Sequence, residues 1–207
     1  MMSKIASLTA LEIRIIHFLI EHPQEQFGVR QLSRETKTDF KLTHGTVQKL
    51  VQKGVITKKR QANLDLCSLN LQGNLAEVFY VEALRTEKFL GKHPEVRTCL
   101  KNCIEKMKQI FGTLVIFGSF ARGTETTTSD IDSLIIAPTR STGEEIERLL
   151  KNETVFLKHA LHTIVVDEKE FVVNLRSKEI TVVKEVLKNH AIITGIESFY
   201  RGIKQAL

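Results

Sequence analysis

Residues 118–132 read "GSFARGTETTTSDID" and lie between two apolar runs, "TLVIF" at 113–117 and "IDSLIIA" at 131–137. Short apolar runs bordered by Gly, Ser, Thr and Asp have the length and limits of buried strands. The stretch therefore leaves one strand through Gly118-Ser119 and enters the next through Asp130 and Asp132. A strand that ends in Gly-Ser and turns into a short helix presents free backbone N–H groups, where a phosphate can be held. Gly118 lets the main chain come close, Ser119 adds a hydroxyl, Arg122 a cation within the same turn, and Ser129 a hydroxyl at the far end of the loop. Asp130 and Asp132 are two apart on a strand, so both carboxylates project from one face, roughly 7 Å apart at the backbone. Such a pair suits hard divalent cations, and two Mg2+ ions about 4 Å apart would stabilise the attacking and leaving oxygens of a phosphoryl displacement. Gly118 and Gly123 have Walker-loop spacing, but Thr124 stands where the Lys is required, so no Walker loop is expected.

Downstream, Thr142 with Glu145 marks the start of a helix over about 143–151, "HTIVV" at 162–166 is a strand, and helices follow at about 168–175 and 179–188. "AIITG" and a last helix close the chain. Upstream, Pro94 opens a helix with the stripe Val96, Cys99, Leu100, Cys103, Met107 and Ile110 that Gly112 stops. A helix from Asn74 to Leu90, ended by Gly91, connects this part to the N-terminal third.

That N-terminal third has its own pattern. Thr9 and Glu12 make a capping box ahead of Leu11, Ile15, Ile16 and Leu19, and His22-Pro23 ends the helix. A second helix carries Val29 and Leu32; a third runs from about Thr43 to Lys53 and stops at Gly54. "VITKKR" and "LDLCSLNL" then form a hairpin. Three helices and a hairpin make a winged helix-turn-helix, with His44, Thr46, Gln48, Lys49 and Gln52 on the exposed face of the third helix and Lys58, Lys59 and Arg60 on the wing. Met1–Gln72 carries 11 Lys/Arg against 6 Asp/Glu, while the remainder is nearly balanced at 19 against 18. The basic excess points to a polyanionic partner for this third, nucleic acid, the alternative being a dimerisation or protein-contact domain whose lysines are merely solvated.

The predicted class is α/β in the α+β sense, with boundaries at 1–72 for the winged helix, 73–92 for the connector and 93–207 for the domain with a mixed sheet. Cys67, Cys99 and Cys103 are odd in number and lack Cys-x-x-Cys spacing, so no disulfide framework is expected. Glu12, Arg14 and His17 interrupt the apolar start, so neither a signal peptide nor a membrane span is read there, and a cytoplasmic protein is expected.

The pattern Gly-Ser-x-Ala-Arg-Gly, five residues, then Ser-Asp-Ile-Asp resembles the nucleotidyltransferase superfamily of the DNA polymerase beta type, particularly its minimal prokaryotic members. The resemblance covers about Pro94 to Leu207, and the N-terminal third resembles winged-helix domains of prokaryotic regulators. It implies that Gly118 and Ser119 bind the terminal phosphates of a nucleoside triphosphate and that Asp130 and Asp132 hold magnesium. The implied reaction transfers a nucleoside monophosphate to a hydroxyl on protein, RNA or a small molecule. The rival reading is a DNA-binding regulator or antitoxin-like protein whose nucleotidyltransferase domain senses nucleotide without turnover. Members usually carry a third carboxylate on a neighbouring strand; here Asp167, at the end of "HTIVVD", is the residue available. Asp167 with Glu170 also has the spacing of a helix cap, so it reads as catalyst or as cap. His162 is a weaker alternative base, and Ser133 departs from the apolar residue usual after the acidic pair. The 74–90 helix could supply the interface of a homodimer.

Overall fold

The computed structural model describes residues 8–107 and 112–207, in two compact units, 1–81 and 82–207. In the first unit the elements are α1 (Ala10–Glu21), β1 (Phe27–Gly28), α2 (Val29–Glu35), α3 (Phe40–Gln52), β2 (Ile56–Gln61) and β3 (Leu64–Leu69). The three strands form an antiparallel sheet in the order β1-β3-β2. Helix α1 begins where its capping box lies: Glu12 N–H donates to Thr9 Oγ1 at 3.3 Å and Thr9 N–H to Glu12 Oε2 at 2.7 Å. Its apolar positions recur at helical spacing, and Ile15, Ile16 and Leu19 are fully buried with Leu32, Val47 and Leu50 of the neighbouring helices.

Helix α3 starts three residues before Thr43. Asp39 is the reason, because its carboxylate accepts from Lys41 N at 2.8 Å and Leu42 N at 3.2 Å and so satisfies two of the free N–H groups of the first turn. The hairpin turns through Ala62 and Asn63, and Ala62 sits at φ +51, a left-handed conformation that a Cβ disfavours. Ala62→Gly is expected to stabilise this unit by about 1 kcal/mol, raising the urea midpoint in a far-UV circular-dichroism titration.

The second unit contains the end of α4 (Ala76–Lys92), then α5 (Pro94–Met107), β4 (Thr113–Phe117), α6 (Gly118–Arg122), β5 (Ile131–Ala137) and α7 (Arg140–Glu153). It closes with β6 (Leu161–Asp167), α8 (Glu168–Arg176), α9 (Val182–Lys188), β7 (His190–Thr194) and α10 (Ile196–Ala206). The sheet order is β6-β5-β4-β7, with β5 parallel to β6 and β4 antiparallel to both its neighbours. Leu114 and Ile116 of β4 join Ile131, Ile135 and Ala137 of β5 on one face, covered by Val96 and Leu100 of α5 and Ile146 and Leu150 of α7. Each β5 residue between them, Asp132, Leu134 and Ile136, belongs to the opposite face.

Several helix starts differ from the sequence reading for one reason, a better cap upstream or downstream. Thr139, not Thr142, caps α7, and Thr181 delays α9 to Val182. Helix α4 passes Gly91 to end at Lys92, since Pro94 and not the glycine stops it. Of the α5 stripe, Val96 and Leu100 are buried and Cys99 is half-buried; Cys103, Met107 and Ile110 lie outside the described side chains. Among the described residues no helix is long and apolar enough to cross a membrane.

Candidate active site

The site grows out of the ends of β4 and β5. Phe117, the last residue of β4, is paired with Asp132, so the Gly118 turn begins beside the second carboxylate. Gly118 has φ +73, and a Cβ built on it would run into Asp132 Oδ2. Glycine is thus required twice over, for the left-handed backbone and for the close approach of the main chain to the carboxylate. Helix α6 is a single turn and a half, ended by Gly123 at φ +71, whose N–H donates to Phe120 O at 3.2 Å. Ser119 is half-buried and Arg122 exposed on this turn. Gly118→Ala is expected to strain the turn and push the Asp132 carboxylate aside, lowering the stability of this unit by about 1–2 kcal/mol of left-handed strain, read as a lower urea midpoint by far-UV circular dichroism.

Asp130 is exposed and immediately precedes β5, whereas the Asp132 side chain keeps 34% of its accessibility. Ile131 and Ser133, the residues flanking Asp132, are buried and hold the strand in place. Ile131 N–H donates to Ala160 O at 2.8 Å, and the Ser133 hydroxyl lies 2.9 Å from Thr163 Oγ1 on β6. The polar Ser133 therefore has a partner, which is how the strand tolerates it.

The connecting loop is braced from within. Ser129 Oγ accepts from Thr126 N at 2.9 Å, and His159 donates from Nδ1 to Ser129 O at 2.8 Å. His159 also meets the buried Phe120 ring edge-on, 5.0 Å between centroids. Ser129, expected to face a nucleotide, has its hydroxyl committed to the loop, and His159 acts as a strut between the β6 approach and the α6 turn.

Asp167 does not join the pair. Parallel register sets it opposite Ala137, five residues beyond Asp132, about 17 Å along the strand at 3.3 Å per residue. There it caps α8: Oδ1 accepts from Glu170 N at 2.8 Å, and Asp167 N–H donates to Glu170 Oε2 at 3.0 Å. The residue across from Asp132 is His162, with Nδ1 3.6 Å from Asp132 Oδ1 and the imidazole 67% exposed. Asp130 and Asp132 offer hard oxygens of the kind Mg2+ takes, and both reach solvent. Among the described residues no three His, Cys, Asp or Glu side chains gather into a metal cluster.

Residues 100–193 match the nucleotidyltransferase domain family. The match takes in β4, the Gly118-Ser119 turn, both aspartates, β5, β6 and all of β7 but its last residue, and this mixed α+β arrangement fits a nucleotidyltransferase fold. No curated protein and no solved structure matches the chain. A nucleotidyltransferase domain implies a nucleotide substrate, and the matched segment contains the Gly118 turn and Asp132.

On the first unit, His44, Lys49 and Gln52 are exposed along α3, Gln48 is half-buried, and Lys58, Lys59 and Arg60 are exposed on β2. Thr46 is a correction: it is not on the exposed face of α3 but buried at 8% accessibility, its hydroxyl donating to Leu42 O at 2.9 Å. Lys58 is drawn into an ion pair with Asp65 at 3.1 Å.

Proposed function

We propose that the second unit binds a nucleoside triphosphate with Mg2+ and transfers its nucleoside monophosphate to a hydroxyl acceptor, releasing pyrophosphate. The observation that carries this is the packing of the Gly118 main chain against the Asp132 carboxylate within a segment matching the nucleotidyltransferase domain. Gly118 and Ser119 hold the terminal phosphates, and Arg122 adds a cation beside them. Asp130 and Asp132 hold the metal, which when bound offsets charge on the triphosphate and on the departing pyrophosphate. The acceptor oxygen forms its bond to the α-phosphorus as the bond from that phosphorus to the β-phosphate bridging oxygen breaks, and the acceptor proton leaves to solvent. The chain's contribution is chiefly positioning and charge, which suits a reaction with little covalent work for the protein.

A second reading draws on the register. Asp132 has an imidazole, His162, as its cross-strand neighbour, and Asp167 is engaged as a helix cap far along β6. This favours a domain that binds nucleotide without turnover, in a nucleic-acid-binding regulator. The first unit supports such a partner: three helices with a β1-β3-β2 sheet have the order of a winged helix-turn-helix, and its basic side chains crowd α3 and β2.

The test is a screen of four α-phosphate-labelled triphosphates with Mg2+ against protein, RNA and small-molecule acceptors, beside calorimetry with the same triphosphates. Label transferred with pyrophosphate release supports the enzyme. Binding heat without transfer supports the sensor, and no heat with any triphosphate sinks both.

A further inference from the structure

The first unit carries a pocket of about 410 Å³ between the start of α2, the start of α3 and the hairpin. Its walls include Arg30, Phe40, His44, Arg60, Leu64 and Asp65. Phe40 is the first residue of α3, directly after the Asp39 cap, and it is 45% exposed; Leu64, at the hairpin, is 62% exposed. Neither contributes much to the core, whose buried members are elsewhere. One side of the Phe40 ring is already met by a guanidinium, with Arg30 Cζ 5.8 Å from the centroid, and the His44 ring lies 6.0 Å away. Asp65, the acidic member, is neutralised by Lys58 at 3.1 Å.

A flat aromatic wall beside an aliphatic one, rimmed by two arginines, has a specific complement. Phosphates alone would be met by the lysines of α3 and β2 and need no aromatic surface. A duplex offers grooves edged with polar groups and keeps its π-faces stacked inside. An unpaired nucleotide offers both parts together, a π-face for Phe40 and a phosphate for Arg30 and Arg60. We propose that this pocket holds one unpaired base of a single-stranded nucleic acid. The base lies against Phe40, Leu64 closes its other edge, and Arg30 and Arg60 hold the flanking phosphates. The proposal rests on the reading of the first unit as a nucleic-acid-binding unit and is independent of phosphoryl transfer in the second.

The experiment measures fluorescence anisotropy of the full chain with labelled 12-nucleotide RNA and DNA single strands and with the matching 12-base-pair duplexes, at one fixed salt concentration. Single strands are expected to bind tighter than duplexes. Phe40→Ala should weaken single-strand binding roughly 5- to 150-fold, the range for losing one base–aromatic stack, and leave duplex binding within twofold. Phe40→Tyr, which keeps the ring, should restore it. A preference for RNA or for DNA assigns the sugar and supports the pocket either way. Duplex bound as tightly as single strand, or Phe40→Ala without effect while Lys49→Ala with Lys59→Ala abolishes binding, overturns the base pocket alone. No binding to any of these nucleic acids overturns the nucleic-acid reading with it, and neither result touches the triphosphate assays.

Discussion

With Asp130 and Asp132 both changed to Ala, labelling of any acceptor from α-phosphate-labelled triphosphate should fall by at least about a thousandfold, equivalent to roughly 4 kcal/mol of lost charge stabilisation. Calorimetry should show Mg2+-dependent triphosphate binding weakened in step. The fold should survive, because Asp130 is exposed and the Asp132 side chain is not part of the core. Ile131 and Ser133, which anchor β5, remain in place. A variant that melts like the wild type and still transfers label would remove the acidic pair from the reaction. A variant that loses triphosphate binding, in a protein whose wild type never transfers label, would keep the pair as a nucleotide site and leave the sensor reading standing.

The acidic pair and its glycine turn were legible because everything they need is local: two strands of apolar residues, a loop of fixed length and a two-residue spacing. The cap that Asp167 forms with Glu170 was legible for the same reason; the distance of Asp167 from the acidic pair was not, although a signal for it existed. A strand, a 14-residue helix and another strand make a crossover, and crossovers join parallel strands. Parallel pairing brings the two strand starts together, so the last residue of β6 lies at the opposite end from the second residue of β5. Antiparallel pairing would have brought Asp167 towards Asp132. Thr46 shows a similar lesson on a smaller scale. It follows Thr43 and precedes Val47 and Leu50 at helical spacing, which is the buried stripe of α3, and a threonine can enter such a stripe when its hydroxyl bonds back to the carbonyl one turn earlier. Residue type suggested exposure where periodicity gave burial. Nothing in the chain order could have paired residues as distant as Glu82, His190 and Tyr200, whose meeting depends on the finished sheet.

That trio makes the second large prediction. Glu82 is fully buried near the middle of α4, and its Oε1 accepts from His190 Nε2 at 2.9 Å and from the Tyr200 hydroxyl at 2.6 Å. Its Oε2 lies 3.6 Å from the Arg85 guanidinium. His190 Nδ1 faces Val186 O at 2.9 Å, and a carbonyl only accepts, so Nδ1 carries a proton. His190 in turn pairs with Phe117, the residue before Gly118, so the cluster is tied to the end of β4. Burial pushes the Glu82 carboxyl up, but the adjacent His190, its hydrogen bond and Arg85 outweigh it and bring the carboxyl from 4.5 down to about 2. Tyr200 moves the other way, held well above its usual range by burial and by Glu82. Because the Glu82 carboxyl titrates lower in the folded than in the unfolded chain, its contribution is complete above about pH 5 and is lost as pH falls towards 2. Glu82→Leu removes the buried carboxylate that accepts from both His190 and Tyr200, a loss expected to be about 3–5 kcal/mol. In urea titrations followed by far-UV circular dichroism, the variant's second unit should unfold at a much lower midpoint at pH 7. Between pH 5 and 3 the wild-type midpoint should drop more steeply than that of the variant, which has no carboxylate left to protonate there. Equal midpoints at pH 7 would mean that the ion cluster adds nothing to stability beyond what an apolar side chain supplies, and the support it gives to the end of β4 would then have to come from the packing of Phe199 and Phe171 alone.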